Sequence, residues 1–156
     1  MAAAAGVVAA MLATQIFYGK VDLTMALNGA IGGLVSITAE PLTPTVPMAM
    51  LIGAVGGVLV VLAVPLLDKF KIDDVVGAIP AHLVCGIWGT MAVPLTNTGT
   101  SFATQALGVV SIGAFAIIMS IIAWTILKFT LGLRVTDEEE LAGLDKTELG
   151  IEAYPE

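Results

Sequence analysis

The 156 residues hold a single histidine, His82, and a single cysteine, Cys85. One of each is too few for a zinc site, and a lone cysteine excludes a disulfide within the chain. No nucleophile–base pair and no phosphate-binding loop occurs, so the chain does not read as an enzyme and no cofactor is expected. The chemistry that remains belongs to His82. It lies inside an apolar run, eight residues past Asp74. At about 1.5 Å per residue, that spacing is about 12 Å of rise. The midplane of a bilayer lies about 15 Å from either edge of the hydrocarbon, so His82 is expected near the membrane centre. Two roles stay open for it. An ionisable group at that depth marks a pathway or a proton relay; alternatively, a neutral imidazole bridges two helices by a hydrogen bond. Neutral imidazole offers one donor and one acceptor. A pore lined by it solvates small neutral polar species without adding charge. Pro80 stands two residues earlier and removes one helix hydrogen bond, so a kink is expected beside the histidine.

The elements that must hold His82 are apolar helices. Hydrophobic residues make up 58% of the chain, charged residues only 12%, and the mean hydropathy is +1.00. A soluble domain carries about 25% charged residues. The composition therefore excludes a soluble globular domain and a disordered chain. The reading is an all-α polytopic membrane protein. Five apolar stretches cover 1–17, 23–39, 48–67, 75–95 and 102–127, within a transmembrane region over 1–130. The last three reach the length of about 20 residues that a spanning helix needs.

Charge gives the chain its sidedness. Lys20, Lys69, Lys71, Lys128 and Arg134 all fall on one side if the chain crosses five times. The other two loops hold no Lys or Arg. The positive-inside rule makes the basic side cytoplasmic, with the N-terminus outside and the C-terminus inside. Residues 131–156 carry eight of the thirteen acids and two of the six bases, so this tail holds −6 of the net −7. No basic run exists to bind nucleic acid. Because the chain opens directly inside an apolar helix, it is expected to be the C-terminal portion of a longer protein, the alternative being a self-contained five-helix protein.

Seventeen glycines is a high count. Gly29 with Gly33, and Gly53 with Gly57, stand at the spacing that lets helix backbones approach closely. Gly86 and Gly89 add a shorter pair. Trp124 suits an interfacial position near the inner end of the last stretch, and Trp88 reads as packing.

The run Lys71-Ile72-Asp73-Asp74-Val75-Val76-Gly77-Ala78-Ile79-Pro80-Ala81-His82-Leu83-Val84-Cys85-Gly86-Ile87-Trp88-Gly89-Thr90 resembles the ammonium transporter family. It has an Asp-Asp pair, then the histidine, then a Cys-Gly-Ile-Trp-Gly run. The segment 26–39, with Asn28 and Gly29, is similar to the family's eighth helix. The tail, from Gly132-Leu133-Arg134-Val135-Thr136 through Gly143-Leu144-Asp145 to Ala153-Tyr154-Pro155-Glu156, is similar to its cytoplasmic tail.

The resemblance implies a channel-like transporter of ammonium or ammonia in the cell (plasma or inner) membrane, a homotrimer when complete. It implies that these stretches are helices seven to eleven, the second half of an inverted repeat plus the last helix. The first six helices, with the other pore histidine, the aromatic gate and the outer binding site, are not in this chain. His82 matches the inner of two pore histidines. Asp74 matches the second acid of the pair, with a structural or tail-coupling role, since an acid suits a helix N-terminus. Thr147 matches a phosphorylated position of plant members, although Glu148-Leu149 follows here where those members often have a histidine before a glycine. A PII-type signalling protein docks on this cytoplasmic face in many relatives. The alternatives are an ammonium sensor that reports to signalling proteins, and an inactive fragment.

Overall fold

A computed structural model describes residues 1–153; Tyr154-Pro155-Glu156, the end of the tail match, lie outside the described residues. Among the described residues all regular structure is helical. The helices are α1 (Ala2–Tyr18), α2 (Leu23–Ile37), α3 (Val46–Lys69), α4 (Cys85–Ala92), α5 (Phe102–Thr130), α6 (Asp137–Ala142) and α7 (Leu144–Thr147). A π-helical turn, Ile79–Val84, leads into α4, and a 3₁₀ turn, Val93–Leu95, ends it. The chain forms two compact units, Met1–Ile112 and Gly113–Glu156.

Local signals place the helix ends. Gly19 adopts φ 75° and closes α1 in the left-handed conformation that glycine enters freely. Asp22 then caps α2, its Oδ1 accepting from the Met25 N–H at 2.9 Å. Pro47 opens α3 within its first turn. Pro65 lies inside α3 and has no N–H to offer the carbonyl four residues back, that of Val61. The Tyr18 hydroxyl donates to that carbonyl at 3.4 Å.

Small residues decide how the first unit packs. On α1 they recur as Ala2, Gly6 and Ala10, one face of a helix, and all three are buried. The pairs that meet fix the direction of each helix. Gly6 lies against Gly29 while Ala2 lies against Gly33, so α1 and α2 are antiparallel. Ala2 also lies against Gly53, and Gly6 against Gly57, so α1 and α3 are parallel. Gly32 meets Val60 while Gly56 meets Ser36, so α2 and α3 are antiparallel. Gly32 meets Cys85 while Gly89 meets Ser36, which runs α4 parallel to α2. Four successive elements therefore alternate in direction. A Cβ at Gly57 would collide with the Gly6 carbonyl oxygen, and one at Gly33 would stand 2.6 Å from the Ala2 carbonyl oxygen. The helices touch backbone to backbone.

Two helices, α3 and α5, are long and apolar enough to cross a membrane; Ala2–Tyr18, Leu23–Ile37 and Ile79–Leu95 are shorter apolar helices. The fourth stretch differs from the sequence expectation of 75–95. Val75 and Val76 form a turn, Gly77 takes φ 76°, and helical structure begins at Ile79. Helix α5 carries apolar residues all round and buries none of them.

The glycine contacts make a paired prediction. Gly57→Ala drives a methyl group into the α1 backbone and is expected to destabilise the bundle by about 1–3 kcal/mol, the usual cost of overpacking. Gly108→Ala on α5, where an added Cβ meets nothing, is expected to be neutral or to stabilise by up to about 1 kcal/mol through helix propensity. Thermal unfolding of the full chain in detergent checks both, and equal melting temperatures for the two variants would contradict the packing.

Candidate functional site

His82 sits in the π-turn, with Pro80 in the first turn of that segment. Proline supplies no N–H for the carbonyl four residues back, that of Val76. Further on, the Cys85 N–H reaches the Pro80 carbonyl, five residues back, while also contacting the His82 carbonyl. Such turns inside helices mark functional positions more often than chance. The sequence predicts a kink here; the structure has a change of helical pitch preceded by a non-helical turn.

That turn exposes backbone groups that need partners, and two side chains supply them. Asp74 accepts at Oδ1 from the Ala78 N–H and at Oδ2 from the Ile79 N–H, each at 2.8 Å. The carbonyl of Val76, four residues before Pro80, accepts from Asn28 Nδ2 at 2.7 Å. Asn28 is 8% exposed and belongs to the middle of α2, five residues past its start. That is about 7.5 Å along the axis, so the turn is drawn into the bundle rather than left at its end. Gly77 is buried, and a Cβ there would stand 2.7 Å from Asn28 Nδ2.

His82 itself faces outward from these helices and is exposed, and its imidazole has no hydrogen-bond partner among the described residues. The neighbouring side of the same segment is fully committed to packing. Pro80, Ala81 and Cys85 are buried. The Cys85 thiol lies 3.4 Å from the Gly56 carbonyl oxygen, and Trp88 Nε1 donates to the Ile52 carbonyl at 3.0 Å. At the other end of α4, Asn97 Nδ2 donates to Glu40 Oε2 at 3.0 Å, tying the loop after α2 to the loop before α5.

The third residue singled out by sequence, Thr147, is in the second unit. It ends α7, is exposed, and its hydroxyl donates to the Gly143 carbonyl at 3.1 Å. The tail around it is internally organised. Thr136 and Glu139 form a capping box, and the Thr136 backbone and hydroxyl donating to the Glu139 carboxylate hold its pKa below the ordinary glutamate range. Asp145 accepts from the Ala153 N–H at 2.9 Å, which holds its pKa below the usual aspartate value. Lys146 pairs with Glu152. Among the described residues no cluster of side chains could hold a metal ion.

The sequence model of a family described as the Ammonium Transporter Family matches residues 1–154. This chain belongs to that family. It is 38% identical to ammonium transporter Amt2 of Archaeoglobus fulgidus, over 99% of this chain and 37% of the relative. It is 37% identical to ammonium transporter Amt1 of Haloferax mediterranei, over 97% of this chain and 30% of the relative. A solved structure described as a sensor Amt protein superposes with a TM-score of 0.87 at 31% identity, covering 95% of this chain and 40% of that one. The chain thus spans between about 30% and 40% of the length of these three proteins.

Within the family fold, sequence reasoning named His82 and Asp74 but gave Asn28 no task. The available signal was an amide inside an apolar stretch, which must find a partner when buried, together with a proline that leaves a carbonyl without one. For Asp74, replacement by Ala is expected to cost about 1 kcal/mol, as for other lost helix caps. Hydrogen exchange at the Ala78 and Ile79 amides should quicken in that variant and change less in Asp74→Asn, which keeps one acceptor oxygen. Unaltered protection at both amides in Asp74→Ala would show that the cap does not hold the turn.

Proposed function

We propose that this chain forms the His82-bearing half of an ammonium or ammonia conduction pathway through a membrane. The observation that carries the reading is the unpartnered, exposed imidazole on a π-turn, next to a segment whose other side is fixed by buried contacts. A histidine bridging two of these helices would have a partner among them. One left free toward a neighbouring surface is placed to meet a solute. Its neutral form gives one donor and one acceptor to a small polar molecule and adds no charge to an apolar path. Family membership supports ammonium as the substrate, since the relatives are named ammonium transporters.

In this reading α1, α2, α3, the Ile79–Leu95 segment and α5 cross the bilayer as the second half of an inverted repeat plus its last helix. Lys20, Lys69, Lys71, Lys128 and Arg134 face the cytoplasm with the acidic tail over 131–156. The broken helix before His82 is of the kind that membrane transporters tolerate where the freed backbone groups find partners, as Val76 does with Asn28 and Ala78 and Ile79 do with Asp74. Asp74 then acts as a structural cap, and the assembled protein is a homotrimer with a cytoplasmic face open to a PII-type regulator.

A sensor is the second reading, favoured by the likeness to the structure described as a sensor Amt protein. Thr147 would serve regulation in either case. A phosphate on it abolishes the donation to the Gly143 carbonyl and adds charge of about −1.5 to −2 beside Glu148, which opens the end of α7.

Conduction separates the readings. In the assembled protein, His82→Ala removes a hydrogen bond to a desolvated solute, about 1.5–3 kcal/mol, and is expected to slow methylammonium uptake by about 10- to 100-fold. Normal uptake would refute His82 as a pathway residue, and a wild-type protein that binds ammonium without conducting it would favour the sensor. Thr147→Asp is expected to stop uptake while leaving membrane abundance unchanged. Undiminished uptake in that variant would remove Thr147 from regulation.

A further inference from the structure

The second unit contains a groove of about 450 Å³. That volume lies in the range of small-molecule sites, about 300–1,000 Å³. Its walls are mixed; the apolar part is formed by Trp124 and Leu127 on α5 and by Leu131, Leu133 and Val135 just beyond it. Two charged side chains of opposite sign, Arg134 and Glu148, line the same groove. They do not form an ion pair with each other or with any other described residue; the pair found in this region is Lys146 with Glu152.

Position adds a second argument. Helix α5 has 29 residues, about 44 Å at 1.5 Å per residue, against a hydrocarbon thickness of about 30 Å. If α5 crosses, its last turns reach the headgroup layer. Trp124 and Lys128 there are the residue types that anchor a helix at that depth. The groove begins at Trp124.

We propose that this groove binds the headgroup of an aminophospholipid. The phosphate sits on the Arg134 guanidinium, the primary ammonium on the Glu148 carboxylate, and the upper acyl chain against Trp124, Leu127 and Leu131. An anionic headgroup leaves Glu148 opposed by like charge. A choline headgroup has no N–H for the carboxylate to accept. Phosphatidylethanolamine satisfies both side chains, each through a charge-assisted hydrogen bond. The proposal rests on the placement of α5 across the membrane, argued above.

The test uses the fluorescence of Trp124 in the full chain, reconstituted in phosphatidylcholine vesicles. Brominated-chain phosphatidylethanolamine, phosphatidylglycerol or phosphatidylcholine is added at a low mole fraction. A Trp124→Phe variant supplies the signal of Trp88 for subtraction. Brominated phosphatidylethanolamine is expected to quench Trp124 with an apparent preference on the order of tenfold over the other two lipids. Glu148→Gln should erase the preference over phosphatidylcholine. Arg134→Gln should weaken retention of all three, and Arg134→Lys should retain part of it. Equal quenching by all three headgroups, a preference for phosphatidylglycerol, or an unchanged preference in Glu148→Gln would overturn the site while leaving the membrane placement intact. No quenching by any brominated lipid would overturn the placement of α5 and the site with it.

Discussion

The rest of the structure depends on the contact of backbone with backbone among α1, α2 and α3. A water-soluble bundle holds its helices apart with interdigitated large side chains and is driven together by the hydrophobic effect. In a lipid phase that drive is absent between helices, and close van der Waals packing takes its place. Ala2, Gly6, Gly29, Gly33, Gly53 and Gly57 let the helix surfaces meet with nothing between them. The register of these contacts admits one arrangement. Shifting α1 along α2 by one residue would set side chains against carbonyl oxygens. The same few contacts thus fix both the spacing of the bundle and the alternation of its helix directions.

That rigid base lets the fourth segment be irregular. Non-helical backbone inside an apolar bundle costs several kcal/mol for each unsatisfied group. Here Asn28, projecting from α2, donates to the Val76 carbonyl and removes that cost, and Asp74 accepts from the two amides that follow the turn. Asn28 can do this only because Gly32 and Gly56 bring α2, α3 and the fourth segment close together. A bulkier interface would move the amide out of reach. The chain connects a packing rule on one helix to the local pitch around a histidine on another.

Much of this was legible before any coordinates. The helical class follows from hydrophobic content and span length. Gly29 with Gly33 and Gly53 with Gly57 announce close packing by their spacing, and the structure uses all four. The distortion beside His82 follows from Pro80. What could not be read was its form. Proline removes a hydrogen bond, but whether the helix bends, widens its pitch or stops depends on which neighbour reaches the orphaned carbonyl. That neighbour is Asn28, 48 residues earlier, and no local pattern encodes the pairing. The start of the fourth segment at Ile79 rather than at 75 has the same origin. With Asp74 capping Ala78 and Ile79, the four residues before Ile79 are free to turn. Counting helical rise from Asp74 therefore overstates how deep His82 lies along its own helix. The inward position of the turn, against the middle of α2, offsets part of that difference.

The distribution of acids clarifies what His82 can do. A carboxylate beside an imidazole favours its charged form, which would turn a path for a neutral solute into a binding site for a fixed ion pair. Of the five acids that precede the tail, three are committed elsewhere. Asp22 caps α2, Asp74 caps the π-turn, and Glu40 is held by Asn97 at the far end of α4. Asp68, in the last turn of α3, and Asp73, in the stretch that follows it, are both exposed. None of the five is hydrogen-bonded to the histidine, and the remaining eight acids lie beyond residue 130. In the proposed function, the polar contact left to the imidazole is with a solute or with the surface that faces it. This arrangement would suit a species that exchanges hydrogen bonds without leaving charge behind, as ammonia does.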